Sequence, residues 1–397
     1  MKRLKLAVIP HSFPTVAEPN GGRPIYEHVR ALGHWVDIEV FYFRPSYLRS
    51  AVQSGADESA AKECTREGIL VHKHYFPAVR YLSRPFNGAS CARRLLPLLT
   101  QYEPGAILAY FAYPHGYAAV LAGEQLRIPV MLVTVGSDLR RIPDKSTRKR
   151  TQEAVRRANS VIAVSEELRG RAISLGASSE QVHTIRNGCD RSVFVPGDRS
   201  HSREELGVPK DAAAVLFVGS MIPLKGVEQL IQASHHVLAS QPKLQVFCIG
   251  EGPQKRSLVR LADRLGLSKV VHFLGTRTKC EVAQWMNACD VFCLPSHSEG
   301  CPNVIMEALT SGRPVVSTNI GGIPELIDSQ CGILVPPRDP PRLASAINEA
   351  LARTWDEGEI RSKQARTWSD VARETYELFE SLRRRDSRGV GREGLWG

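Results

Sequence analysis

The run H-S-E-G-C-P-N-V-I-M-E-A at residues 297–308 carries two glutamates, Glu299 and Glu307, the second inside an apolar stretch. A buried carboxylate without a partner is costly, so each must meet a donor inside the protein or one brought by a ligand. A carboxylate only accepts hydrogen bonds, which suits the vicinal hydroxyls of a ribose or hexose. The other reading makes Glu307 a core residue satisfied by local backbone donors. Pro302 suits the first position of a helix over 302–311, whose unpaired N–H groups and dipole favour a phosphate. Gly312 suits the position after that helix's C-cap.

Other loops offer matching chemistry. In G-S-M-I-P-L-K-G, 219–226, Lys225 stands at the mouth of a helix, where its ammonium suits a diphosphate or is simply solvated. In I-G-E-G-P-Q-K, 249–255, Gly250 and Gly252 form a G-x-G without a third glycine, a weak dinucleotide signal. N-G-G-R-P, 20–24, puts Gly21 and Gly22 before a helix at Pro24, where backbone N–H groups reach an anion or form a plain turn. His115 in A-Y-P-H-G-Y and Asp138 in T-V-G-S-D are titratable groups that could hold an acceptor hydroxyl or be structural.

These loops sit in a repeating grammar of short apolar run, polar loop and amphipathic helix. The first half predicts strands at 5–9, 37–43, 69–75, 105–109, 129–135, 160–164 and 182–185. The second predicts strands from 213 and at 244–249, 270–273, 290–294, 314–317 and 332–335, with helices at 226–240, 253–265, 279–288, 302–311, 323–328 and 340–352. The expected fold is α/β: two doubly wound, Rossmann-like domains with a cleft between them, ligands sitting at the carboxyl ends of strands. A chain of 397 residues suits two domains. The expected limits are 1–195, joined by a C-terminal helix at about 367–385, and 205–366, with a polar linker over 187–212 and a disordered tail at 386–397.

Composition excludes some classes. No run approaches the roughly 18–20 apolar residues that span a bilayer, and the apolar stretch after Lys5 is too short for a signal peptide. Nine cysteines with no C-x-x-C pair read as reduced thiols in a cytosolic core. Residues 1–200 hold 28 Lys and Arg against 18 Asp and Glu, net +10, whereas residues 201–397 hold 24 against 23, net +1. The basic half suggests an anionic partner. Residues 72–94 mix bases with aromatics, as suits an anionic membrane surface or an ordinary solvated one. No RNA-binding signature accompanies them.

Taken in order, N-G-G at 20–22, G-S-D at 136–138, V-I-A-V-S at 161–165, I-R-N-G-C-D at 185–190, V-G-S-M-I-P-L-K-G at 218–226, I-G-E-G-P at 249–253 and D-V-F-C-L-P-S through P-V-V-S-T-N-I-G-G-I-P-E-L at 290–326 span nearly the whole chain. With them the sequence resembles glycosyltransferase family 4, retaining enzymes of GT-B architecture, and within it the members that build bacterial surface polysaccharides. Glu299 and Glu307 match that family's E-x7-E motif.

The resemblance implies a nucleoside-diphosphate sugar as donor substrate and a glycan or lipid-linked acceptor, with no metal or cofactor. Glu307 would accept from the ribose hydroxyls and Glu299 would lie by the sugar ring. Lys225 would neutralise the diphosphate, aided by N–H groups at Gly21, Gly22 and the helix start. Gly250 would border the base, and Gly300, Cys301 and Asn303 would complete the donor site. Lys225, Glu299 and His115 are the candidate catalytic residues, His115 and Asp138 the acceptor-side ones. Ser220 stands where relatives often have Arg, and Val135 where many have His. The implied location is the cytoplasm or the inner face of the membrane, which the basic first half would meet. A nucleotide-sugar epimerase of the same shape, an inactive sugar-nucleotide-binding partner and a nucleic-acid binder are the alternatives.

Overall fold

The computed structural model describes residues 3–15, 21–47, 61–64, 68–79 and 82–389. The chain divides into two compact units, Met1–Asn187 with Trp368–Gly397, and Gly188–Thr367.

The N-terminal unit is built on eight strands: β1 (Lys5–Ile9), β2 (Asp37–Tyr47), β3 (Ala61–Cys64), β4 (Leu70–Ala78), β5 (Ala106–Tyr110), β6 (Val130–Thr134), β7 (Ser160–Ala163) and β8 (Val182–Thr184). Their order is β3-β4-β2-β1-β5-β6-β7-β8. All neighbours pair in parallel except β3, which runs antiparallel to β4 at the edge. The runs A-I-L-A-Y, V-M-L-V-T and S-V-I-A are buried along their whole length, as strands covered by helices on both faces must be. The C-terminal helix, Trp368–Gly389, returns to this unit and packs on the Arg23–Leu32 helix. There His28 Nε2 lies 2.9 Å from Thr375 Oγ1, and Trp35 stacks on Tyr376.

Two features depart from the expected strands. The edge strand β3 has the sequence A-K-E-C, which lacks any apolar alternation to betray it. The second strand runs to Tyr47 through Pro45 rather than ending near 43. Its pairing with β1 stops at Val40, while β4 continues beside it to Tyr47, so Pro45 stands where one side of the strand is already unpaired. The last helix also continues past the expected end at about 385; residues 390–397 lie outside the described residues.

The C-terminal unit has six parallel strands: β9 (Ala213–Val218), β10 (Leu244–Ile249), β11 (Val271–Gly275), β12 (Val291–Leu294), β13 (Val315–Thr318) and β14 (Gly332–Val335). Their order, β11-β10-β9-β12-β13-β14, reverses between β9 and β12. In open parallel sheets the carboxyl ends of strands on either side of such a reversal are where ligands sit. Residues 188–212, read above as a linker, belong to this unit and hold the Arg199–Leu206 helix, capped by Asp198 and fixed by Arg203 Nη2 to Asp290 Oδ2 at 2.7 Å. Residues 323–325 make a single 3-10 turn rather than the helix expected over 323–328.

Candidate active site

The two loops that flank the reversal carry Lys225 and Glu299. After β9 the chain makes a short turn, Pro223–Lys225, and enters the Val227–Leu238 helix through Gly226. Gly226 has φ 68°, and a Cβ built on it would lie 1.9 Å from the Pro295 carbonyl oxygen, so only glycine lets the loops after β9 and β12 approach this closely. His297 N–H donates to Leu224 O at 2.7 Å and clamps the same two loops. The result is that Lys225 Nζ lies 2.6 Å from Glu299 Oε1.

Glu299 is 9% exposed and is the buried carboxylate of the pair. Its Oε1 also accepts from Ser296 Oγ at 2.6 Å, from a serine that is fully buried. The loop after β13 supports this one: Gly322 N–H donates to Gly300 O at 3.0 Å, and the Thr318 hydroxyl donates to Ser296 O. Glu307, which the sequence placed inside an apolar run, is only half-buried, because it lies on the outward side of the Asn303–Thr310 helix whose other face buries Ile305, Met306 and Leu309.

That helix begins one residue later than expected. Pro302 is the N-cap, with extended backbone, and no side chain caps the helix start. Gly300 and Cys301 are buried just before it, and Asn303, half-buried, opens it. At the other end Gly312 (φ 72°) follows the cap at Ser311, with Arg313 N–H to Ala308 O and Gly312 N–H to Leu309 O both at 2.9 Å, a Schellman closure.

The loop at 249–253 lies against the one at 219–226, backbone to backbone. Gly219 N–H donates to Ile249 O at 2.9 Å and Met221 N–H to Glu251 O at 2.8 Å. A Cβ on Gly250 would fall 2.0 Å from Gly219 O, and one on Gly252 2.4 Å from Met221 O. Both glycines are therefore required by the packing of these loops, whatever else they meet. Ser220 between them is exposed.

Sequence reasoning missed several groups here. Cys189, in the I-R-N-G-C-D run, lies beside the Asn303–Thr310 helix; burial pushes its thiol up to about 12, and the Glu307 carboxylate adds to the rise. Next to it, burial acts to raise Asp190, but the Lys279 ammonium and the Ser192 hydroxyl outweigh it and hold the carboxyl at about 2. His297 Nε2 is buried without a partner among the described residues, and its pKa is lowered by burial and by Arg338. Arg338 itself has φ 62°, a left-handed backbone uncommon for arginine, just after β14. None of these had a spacing signal, since each depends on strands distant in sequence.

The remaining sequence candidates belong to the N-terminal unit. Gly22 (φ 61°) caps the Arg23–Leu32 helix, and a Cβ there would lie 2.2 Å from Ser12 O in the loop after β1. Gly21 is half-buried beside it, and Asn20 lies outside the described residues. Asp138 is 6% exposed and accepts backbone N–H bonds from Gly136 (2.8 Å), Ala112 (3.1 Å) and Val135 (3.2 Å), so both oxygens are engaged in joining the loops after β5 and β6. Burial raises its pKa against the pull of those donors. His115 is 5% exposed and donates from Nε2 to Phe43 O at 2.9 Å; burial lowers its pKa to about 4. Among the described residues its Nδ1 has no partner, nor has Nδ1 of His11, a histidine singled out by no motif, which stacks on Phe111 at 4.5 Å. Burial and then His115 lower His11 to about 3.

Two doubly wound parallel sheets, with a lysine and a glutamate paired across the reversal of the second, define an α/β chain of the GT-B class. Residues 21–193 match the family model described as Glycosyltransferase Family 4, and residues 212–353 the one described as Glycosyl transferases group 1. The putative teichuronic acid biosynthesis glycosyltransferase TuaC of Bacillus subtilis is 30% identical over 356 residues, 87% of this chain and 88% of that one. The chain belongs to glycosyltransferase family 4. D-inositol 3-phosphate glycosyltransferase 2 of Catenulispora acidiphila is 34% identical over 244 residues, and there the match spans only 57% of either chain. HepE from Anabaena, solved in complex with UDP, has a TM-score of 0.68 at 21% identity over 98% of this chain and 100% of that one. Sucrose-phosphate synthase from Thermosynechococcus elongatus has a TM-score of 0.75 at 21% identity over 96% and 99%. At such identity these two show likeness of fold.

Proposed function

We propose that the chain is a retaining glycosyltransferase that moves a hexose-type sugar from a nucleoside diphosphate to a glycan or lipid-linked acceptor in the synthesis of a cell-surface polysaccharide. The observation that carries this reading is the contact of Lys225 with Glu299 on the two loops that flank the reversal of the C-terminal sheet. An ammonium and a carboxylate held at one point are what a departing diphosphate and a sugar ring need side by side. Membership of family 4 supports it, as does the likeness to TuaC, named for teichuronic acid biosynthesis.

In this reading Lys225 and the start of the Asn303–Thr310 helix stabilise the diphosphate, Glu307 accepts from the ribose hydroxyls, and Glu299 orients the sugar. Gly21 and Gly22 offer further backbone N–H groups to phosphate, and Gly250, Gly300, Cys301 and Asn303 line the donor. The acceptor oxygen attacks the anomeric carbon on the face from which the diphosphate leaves. The bond from that carbon to the phosphate oxygen breaks, and the leaving phosphate takes the acceptor's proton. No protein nucleophile, metal or cofactor takes part, so catalysis rests on positioning and on stabilisation of the separating charges. His115 and Asp138 act on the acceptor side, Asp138 by joining the loops after β5 and β6 and His115 by tying the loop after β5 to Phe43 O of β2. The enzyme works in the cytoplasm or at the inner face of the membrane; among the described residues no helix is long and apolar enough to cross one.

The test is thermal unfolding with UDP, GDP, ADP and their common sugar conjugates, Glu307→Ala serving as control. A ligand at about 100 times its dissociation constant adds roughly 2.7 kcal/mol, enough to move the transition by several degrees. A shift with one nucleotide that is absent from the variant supports the reading and names the base. No shift with any of them overturns it in favour of an inactive relative, and turnover of the sugar nucleotide without an acceptor would point to an epimerase.

A further inference from the structure

The exposed large apolar side chains are not scattered evenly. Leu82 is 77% exposed and Phe86 68%, against 44% for Trp35, 37% for Val259 and 36% for Val195, and Val79, near them in sequence, is 42% exposed. Single exposed apolar residues are ordinary, but here the most exposed are grouped on one turn.

The turn is held firmly. Ser83 N–H donates to Val79 O at 3.0 Å, Asn87 N–H to Ser83 O at 3.0 Å, and Ser83 Oγ accepts from Val79 N–H at 2.8 Å. The Tyr113 hydroxyl donates to Arg84 O and accepts from Gly88 N–H at 3.2 Å. Leu82 and Phe86 are thus presented to solvent by a braced segment, and little ordering entropy is left to lose when they are covered.

The surroundings are basic. Arg93 and Arg94 are exposed on the Asn87–Tyr102 helix, seven and eight residues beyond Phe86, a spacing that returns to the same side of a helix. The Lys145–Arg157 helix packs beside the turn, its N-cap Asp144 lying 3.8 Å from Arg84. Lys145, Arg148 and Lys149 are exposed on its first turns. The acidic groups of that segment are already engaged: Asp144 accepts from Thr147 N–H at 2.7 Å and Glu153 from Arg150 at 2.9 Å. By contrast, residues 72–76 of the stretch singled out in the sequence lie in β4, with His72 and Phe76 buried, and play no part.

We infer that Leu82 and Phe86, with these exposed bases on the two helices packed against their turn, dock the N-terminal unit onto an anionic phospholipid bilayer. The apolar pair enters the boundary between headgroups and acyl chains while the ammonium and guanidinium groups meet lipid phosphates. Charge complementarity selects the occupant: a protein partner would cover the apolar pair but has no need of five exposed bases, and a nucleic acid would meet the bases but has no need of the pair. This inference rests on the membrane-facing part of the function proposed above and names the surface that serves it.

The experiment is co-sedimentation of the full chain with vesicles of phosphatidylcholine alone and of phosphatidylcholine mixed with phosphatidylglycerol, together with binding of an RNA oligomer. The expected result is retention on the anionic vesicles, weakened about tenfold or more by L82S/F86S and roughly a hundredfold by K145Q/R148Q/K149Q. All five side chains are exposed, so an unchanged unfolding temperature should show that both variants fold. Binding that ignores L82S/F86S, tighter binding to RNA than to vesicles, or no retention at all overturns the inference. Nucleoside-diphosphate binding measured without vesicles separates its failure from a failure of the proposed activity.

Discussion

Glu299 Oε1 accepts from both Lys225 Nζ and Ser296 Oγ, each at 2.6 Å, so that one carboxylate oxygen ties the loop after β9 to the loop after β12. The lysine side chain is 25% exposed and the glutamate 10%, a pair too sheltered to be a surface ornament and too open to be sealed in a core. In the proposed site, an anion that drew the ammonium away would leave that oxygen to Ser296 and an incoming hydroxyl, which would couple recognition of the diphosphate to recognition of the sugar.

Removal of Lys225 tests this coupling. Lys225→Ala should weaken a nucleoside diphosphate by roughly 1.5–3 kcal/mol, the range for a hydrogen bond to a charged group, while the corresponding nucleoside binds almost as before. In a double-mutant cycle with Glu299→Gln the two losses should be non-additive. Calorimetric titration of the four proteins measures both. Equal weakening of nucleoside and diphosphate would remove Lys225 from its proposed place.

Glu307 gives a cleaner separation of binding from folding. It is half-buried and on the outward side of its helix, so Glu307→Ala should move stability by no more than about 1 kcal/mol while abolishing donor binding. Denaturant unfolding and nucleotide titration on the same sample decide it. Unaltered affinity, with the fold intact, would show that the ribose hydroxyls find their acceptor elsewhere.

The parts of the site that were legible in the sequence are those written in local turn chemistry. Gly226 before a helix and Pro302 before another mark the two strand-to-helix loops, and with them Lys225 and Glu299. The alternation of apolar runs with helical stretches likewise announced both sheets. What could not be read locally depends on neighbours brought by the sheet order. Ser296 reveals itself as a partner of Glu299 only when the loop folds back, and the packing reason for Gly250, the Gly219 carbonyl against it, has no sign in the sequence. Asp138 reads either as an acceptor-side group or as a structural one, and only the folded loops show three backbone N–H groups claiming its oxygens. The edge strand β3 escaped because an edge needs no apolar pattern.

Gly226 should be the least replaceable residue of the site. Its backbone is left-handed and a methyl group there would collide with Pro295 O, which is main chain and not free to rotate aside. Gly226→Ala should cost more than the roughly 1–2 kcal/mol of a left-handed alanine alone, since the loops after β9 and β12 must also part. Donor affinity should fall with stability. Gly207→Ala, at a similar φ of 67° but with nothing within 4 Å of the added carbon, supplies the comparison and should pay only the backbone term. Equal losses in the two variants, read from denaturant midpoints, would mean that the Pro295 contact is not restrictive.

The buried histidines of the N-terminal unit should make it sensitive to mild acid. Burial lowers His115 from 6.5 to about 4, so between those values the unfolded chain binds a proton that the folded chain does not. Stability from this group is therefore fully present above pH 6.5 and is lost as pH falls toward 4, by roughly 1.4 kcal/mol per pH unit. His11, lowered to about 3, acts in the same direction and extends the loss to lower pH. Asp190, lowered from 3.8 to about 2 in the other unit, is shifted in the same direction and contributes to the loss only below pH 3.8. His115→Gln keeps a donor for Phe43 O but cannot titrate, and should flatten the decline between pH 6.5 and 4 to what His11 alone produces. Denaturant unfolding at pH 7 and pH 5 compares the two proteins, and an equal fall in both would mean that His115 already carries its proton in the folded chain.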